Sequence, residues 1–148
     1  MLKNYTSLGL MSGTSGDGVD ASLINSNGVD KFQVIKDSYF QYDYSIYEGI
    51  HNLKEQIHNL KDLNKYQKEI NELARRITIF HAKVINEFDL TDQDSLIGFH
   101  GQTIYHNADE KISLQLGDGK LLNQLSKKKI VFNFRKKDIL NGGDGAPI

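Results

Sequence analysis

Near the N-terminus, LGLMSGTSGDGVDASL (Leu8 to Leu23) sets glycines, hydroxyl side chains and two aspartates between two short apolar runs. Gly13, Gly16 and Gly18 can take positive φ and let backbone N–H groups approach a ligand closely. Ser12, Thr14 and Ser15 add hydroxyl donors, and successive N–H groups in such a turn make a concavity that suits an anion. The chemistry on offer is phosphate binding. The GxxxxGK[ST] spacing and its lysine are missing, no helix follows, and GxGxxG is not matched either. A flexible hairpin turn competes evenly on composition alone. Length favours the phosphate: Met11 to Val19 spans about nine residues, where a plain hairpin needs two to five.

Three further stretches carry polar groups at strand ends. GFHGQTIYH, Gly98 to His106, follows a buried-type strand, the position where α/β sheets hold ligands. His100, Gln102 and Thr103 supply donors and acceptors there; the simpler reading is a polar turn. His100 and His106 lie six apart on no common face and bring no carboxylate, which argues against a metal site. In FNFRKKDILNGGDGAPI, Phe132 to Ile148, Arg135 could bind a carboxylate or phosphate bidentately. Taken alone, it reads as a surface charge, with Gly142-Gly143 as a helix stop. In LQLGDGK, Leu114 to Lys120, Asp118 can cap a helix, a structural task at least as good as ligand contact. His51, His58 and His81 fall in helical regions and are assigned no chemistry.

The elements that must position these residues follow from periodicity. Tyr5 to Leu10, Asp20 to Asn25 and Lys31 to Tyr42 read as three strands in an antiparallel meander. Asp43 to Leu60 is weakly helical. Asp62 to Phe88 is strongly so, with Leu63, Tyr66, Ile70, Leu73, Ile77, Phe80 and Val84 at alternating steps of three and four. That predicts one helix of about 40 Å lying on a sheet. The same stripe could serve a homodimer. Ser95 to Phe99, Ile112 to Leu116 and Ile130 to Phe134 read as strands and Gly119 to Ser126 as a short helix. The expected fold class is α/β, a mixed sheet covered by helices.

Composition narrows the partners. The 148 residues suit one domain with a real core, at 39% hydrophobic and 25% charged. A net charge of −1 gives no footing for nucleic acid, and the clusters Lys127 to Lys129 and Arg135 to Lys137 are short. The absence of cysteine excludes disulfides and thiolate chemistry. No apolar run suits a signal peptide or a membrane span, so the reading is cytoplasmic. Pro147, one residue from the end and inside a turn motif, suggests the N-terminal portion of something longer.

Together GLMSGTSGDGVDA, GFHGQTIYH, SLQLGDGKLL and VFNFRKKDILNGGDGAPI, in this order, resemble the anhydro-N-acetylmuramic acid kinase family from end to end. The resemblance implies a ribonuclease-H-like (actin-like ATPase) half: an antiparallel three-strand meander, then parallel strands, with helices on the sheet. Residues 1–148 would be an incomplete N-terminal domain, with the second domain of the cleft lying outside this chain. The implied reaction hydrolyses the 1,6-anhydro bridge of the amino sugar and transfers the γ-phosphoryl of ATP, with Mg²⁺, to O6, in peptidoglycan recycling. The alternative is a non-catalytic nucleotide- or sugar-binding module of the same fold. By resemblance, Gly13, Thr14, Ser15, Gly16, Asp17, Gly18, Val19 and Asp20 face ATP, and His100, Gln102, Thr103 and Arg135 serve the sugar. Arg135 would meet its lactyl carboxylate.

No catalytic residue is assigned, because the family's aspartate lies in an Asp-Thr-Gly-Pro-Gly-Asn motif that these residues lack; the chain alone is expected to be inactive. Metal ligands are likewise unassigned. Met11 stands where many superfamily members have an aspartate, so acidic help with Mg²⁺ would have to come from Asp17 or elsewhere. Gly16 replaces a larger apolar residue and should loosen the loop. Asp144 replaces an expected glutamine and adds negative charge.

Overall fold

The structure is a computed structural model and describes residues 3–90 and 95–146; Pro147 and Ile148 lie outside the described residues. Three strands come first: β1 (Tyr5–Ser12), β2 (Gly18–Ser26) and β3 (Phe32–Gln41). Then follow α1 (Tyr44–Gln56), α2 (Leu60–Lys65), α3 (Gln67–Asn86), β4 (Leu96–Asn107), β5 (Ile112–Leu116), α4 (Gly119–Ser126), β6 (Lys129–Phe132) and α5 (Lys136–Leu140). The sheet order is β3-β2-β1-β4-β5, with β6 also on β4. β1, β2 and β3 form the antiparallel meander, while β1–β4 and β4–β6 are parallel. β5 lies antiparallel against the second half of β4. This is the mixed α/β sheet that the sequence implied.

Strand alternation separates two faces. Leu8, Leu10, Val19, Ala21, Leu23, Ile97 and Phe99 form one core with Ile46, Ile50 and Leu53 of α1 and Ile70, Leu73, Ile77, Val84 and Ile85 of α3. The alternate residues Met11, Asp20, Ser22 and His100 belong to the other face, which is open apart from the α5 segment at its rim. α4 is capped as expected, with Asp118 Oδ1 accepting from the N–H groups of Lys120 and Leu121 at 2.9 and 3.0 Å. The Asp118 N–H donates in turn to Thr78 Oγ1 of α3 at 2.9 Å.

Three expectations are corrected. The stripe over Asp62 to Phe88 is not one helix. Asn59 caps a separate α2 through its side chain, and Tyr66, at φ −98° and ψ 19°, leaves helical geometry before α3 begins. The 20 residues of α3 span about 30 Å, and their apolar stripe is buried within the chain. The connection after β1 is also shorter than expected, because β1 runs on to Ser12 and β2 starts at Gly18. Only residues 13–17 remain, within hairpin range, so length does not distinguish a phosphate loop from a turn. Finally, GFHGQTIYH is no turn: β4 continues through it to Asn107.

Candidate functional site

That continuation works because of Gly101. Leu10 pairs with Phe99 and Ser12 with Gln102, so β4 carries one extra residue at this point, a β-bulge. Gly101 takes φ +75°, and a Cβ there would lie 2.5 Å from the carbonyl oxygen of Leu116. Only glycine fits. The extra residue inverts the alternation: Ile97 and Phe99 are core residues, and after the bulge so are Gln102 and Ile104. His100 and Gln102, two apart in sequence, thereby serve opposite faces.

On the helix-covered face, polar groups gather beneath the loop that joins β1 to β2. His81 of α3 is wholly buried, and burial pushes its imidazole down to about 4, so it is neutral near pH 7. Its Nδ1 lies 2.8 Å from the Ile77 carbonyl, which assigns the proton to Nδ1 and leaves Nε2 as acceptor. Ser12 Oγ lies 3.5 Å from that Nε2 and 2.8 Å from the Tyr42 hydroxyl. A relay from Tyr42 O–H to Ser12 and from Ser12 O–H to His81 gives every donor an acceptor. Burial pushes the Tyr42 phenol well above its ordinary value. Gln102, also wholly buried, donates from Nε2 to the Gly13 carbonyl at 2.9 Å. Its Oε1 is buried and has no partner among the described residues.

The loop itself is tied down. The Gly16 N–H donates to the Gly13 carbonyl at 3.2 Å, Tyr42 N–H to the Asp17 carbonyl at 2.9 Å, and the Lys54 ammonium of α1 to the Thr14 carbonyl. Gly16 takes φ +68°, and a Cβ would sit 2.8 Å from Ile50 Cγ2. Glycine at this position therefore lets the loop lie against α1, rather than loosening it. The Ser15 hydroxyl donates to Asp17 Oδ1 at 2.6 Å. That bond, then Asp17's own backbone N–H, with the Tyr39 phenol adding less, holds the Asp17 carboxyl below the usual carboxylate range.

On the open face, β1, β2, β3, the first half of β4 and the α5 segment line a groove of about 1330 Å³. Arg135 Nε donates to His100 Nε2 at 3.2 Å, and His100 Nδ1 donates to the Gly101 carbonyl at 2.8 Å. Burial, opposed by the Gly101 bond, and then the neighbouring guanidinium hold His100 below its ordinary pKa, so it is a neutral acceptor for Arg135. Asp138 shapes the rim: its Oδ2 accepts from the Gly145 N–H at 2.8 Å and its carbonyl from the Gly143 N–H at 2.9 Å. Asp144 lines the same groove with an exposed carboxylate.

Of the four residues read as sugar contacts, the groove unites His100 and Arg135. Gln102 lies behind the sheet under the loop. Thr103 is half-buried at the β4–β5 pair, where its Oγ1 accepts from Gln115 Nε2 at 3.2 Å. Sequence reasoning gave no role to Tyr42, His81 or Lys54. One signal was available for His81: it lies four residues after Ile77 and three before Val84, on the apolar stripe. Among the described residues, no group of three or more His, Asp or Glu side chains converges as a metal-ligand set, and no helix is long and apolar enough to cross a membrane.

Comparison with known proteins bears on this arrangement. A family model described as anhydro-N-acetylmuramic acid kinase matches residues 5–148. A Pelagibacter ubique (strain HTCC1062) protein named anhydro-N-acetylmuramic acid kinase is 56% identical over 151 residues, covering 100% of this chain and 40% of the relative. Proteins of the same name are 33% identical in Agrobacterium fabrum (strain C58 / ATCC 33970), covering 97% of this chain, and 36% identical in Prochlorococcus marinus (strain NATL1A), covering 95%. The chain thus spans about 40% of the length of the curated relatives it matches.

Proposed function

Because the chain belongs to the anhydro-N-acetylmuramic acid kinase family, we propose that it forms the N-terminal part of an enzyme that opens the 1,6-anhydro ring of anhydro-N-acetylmuramic acid with water and phosphorylates O6. The products are N-acetylmuramate 6-phosphate and ADP. The observation that carries this reading for these residues is the Arg135–His100 pair, set in a groove beside a tied, glycine-bearing loop on the same sheet.

Gly13 to Asp20 is the ATP-binding segment in this proposal. The backbone N–H groups not used within the turn and the Thr14 hydroxyl would hold phosphate oxygens without a lysine in the loop, while the Ser15 hydroxyl and the Gly16 N–H hold the turn itself. Mg²⁺, when bound with the nucleotide, would offset phosphate charge. Asp17, held ionised by its hydrogen bonds, is an oxygen donor of the type that ion takes. Arg135 would orient the sugar's carboxylate through the N–H groups not given to His100. Neutral His100 positions that guanidinium rather than competing with it for charge. Gln102 and Thr103 support the two strands from behind and beside the groove.

In the reaction, water oxygen bonds to the anomeric carbon as the C1–O6 bond breaks, and O6 takes the γ-phosphoryl. The water needs a general base. No Asp-Thr-Gly-Pro-Gly-Asn run occurs in these 148 residues, so neither Asp138 nor Asp144 takes that role. The substrates are small molecules rather than nucleic acid, and the setting is cytoplasmic. A homodimer would have to use a face other than the buried stripe of α3.

The test is ADP release by the intact protein with ATP and the anhydro-sugar, run in ¹⁸O-water. The expected result is label on the C1 hydroxyl and none on the phosphate. Label on phosphate, or release of ADP indifferent to the sugar, would refute the reading. The 148-residue chain assayed alone should release no ADP above background.

A further inference from the structure

Gln102 poses a problem that its neighbours explain. It is fully buried with its Oε1 unpartnered among the described residues, a costly state for an amide. An apolar side chain of equal length would fill the space without an orphaned acceptor. What the amide adds is its hydrogen bond to the Gly13 carbonyl. That bond also fixes the amide's orientation, since a flip would set two oxygens against each other.

The consequence reaches the loop through peptide geometry. The carbonyl of Gly13 and the N–H of Thr14 share one planar unit and point in opposite directions. Holding the carbonyl down on Gln102 turns the Thr14 N–H away from the floor. The same carbonyl takes the Gly16 N–H, so one acceptor sets both ends of the turn.

We infer that Gln102 is a positioning residue for nucleotide binding, setting the Gly13–Thr14 peptide so that the loop presents its N–H groups to phosphate, and that it does not touch the sugar. This rests on the reading of Gly13 to Asp20 as the ATP segment. It gives the two halves of GFHGQT separate tasks: His100 serves the groove in front, and Gln102 the loop from behind, with the Gly101 bulge between them.

The experiment uses the intact protein with Mg²⁺·ATP and the anhydro-sugar. Gln102→Met should raise KM for ATP about tenfold while leaving KM for the sugar within about twofold. In Gln102→Glu, ATP affinity should be weak at high pH and recover as pH falls, because the protonated carboxyl regains a donor for the Gly13 carbonyl. In the unmodified protein, the Gln102 side-chain amide resonance should shift on addition of Mg²⁺·ATP and stay put with sugar alone; this decides the matter if neither variant folds. A rise in the sugar KM equal to or larger than that for ATP overturns the inference. So does an unchanged ATP KM in folded Gln102→Met, or a resonance that answers to sugar alone. An unmodified protein that binds no ATP overturns the loop reading and this inference with it. ATP binding that is indifferent to Gln102→Met overturns the inference alone.

Discussion

The two faces of this sheet carry polar groups under opposite rules. Beneath the helices, Ser12, Tyr42, His81 and Gln102 are buried, uncharged and fastened to fixed partners. On the open face, Asp20, Arg135 and Asp144 line the groove beside solvent, and His100 is half-buried. Desolvation makes an unpaired charge prohibitive on the first face and tolerable on the second. Groups behind the sheet can therefore set geometry but cannot meet a charged ligand; groups in front can meet one but must be held in place by others. The two regimes adjoin at the Gly101 bulge of β4, while the loop at residues 13–17 leaves β1 from Ser12 on the buried side.

Substitutions separate the two regimes, and the largest effect is expected at their junction. Gly101→Ala places a Cβ 2.5 Å from the Leu116 carbonyl at φ +75° and should cost ~4 kcal/mol of unfolding free energy. Denaturant titration checks this; a loss below ~1 kcal/mol would mean that the bulge is not what separates His100 from Gln102.

The buried relay predicts a pH dependence. The folded pKa of His81, about 4, lies below its ordinary 6.5, so the unfolded chain binds the extra proton in this window. The contribution of burying His81 as the neutral ring is complete above about pH 6.5 and is lost as pH falls towards about 4. The loss is on the order of 3 kcal/mol. His81→Phe should flatten this part of the stability profile; an unchanged slope would place the titration elsewhere.

The open face should answer in binding rather than in stability. Arg135→Ala is expected to raise KM for the sugar about 10- to 30-fold, with little change for ATP. Equal effects on both would remove Arg135 from the sugar site. The smallest effect is expected at Asp144, where Asp144→Gln removes an exposed negative charge from the groove and should lower the sugar KM about twofold. A rise would mean that this carboxylate holds the ligand rather than repels it.

Much of the fold was legible in sequence because alternation and helical spacing report burial directly. The meander, α4 with its Asp118 cap, and the seam of α3 all followed from such patterns. The break at Tyr66 did not, because the three-four spacing continues across it and no side chain caps the start of α3. β4 was cut short because Gly101 and the polar residues around it resemble a turn; the bulge that keeps them in a strand depends on β1 and Leu116, distant in sequence. For the site, Arg135 and His100 were singled out by the family resemblance, since Arg135 alone reads as a surface charge. The Tyr42–Ser12–His81 relay joins residues 30 and 69 positions apart, and no local pattern links them.

Hydrogen exchange of the intact protein, read separately with Mg²⁺·ATP and with the anhydro-sugar, tests the division of labour most directly. ATP should protect amides of residues 13–20, and the sugar those of residues 98–100 and 134–136. Protection of the groove by ATP with the loop unaffected would contradict the account.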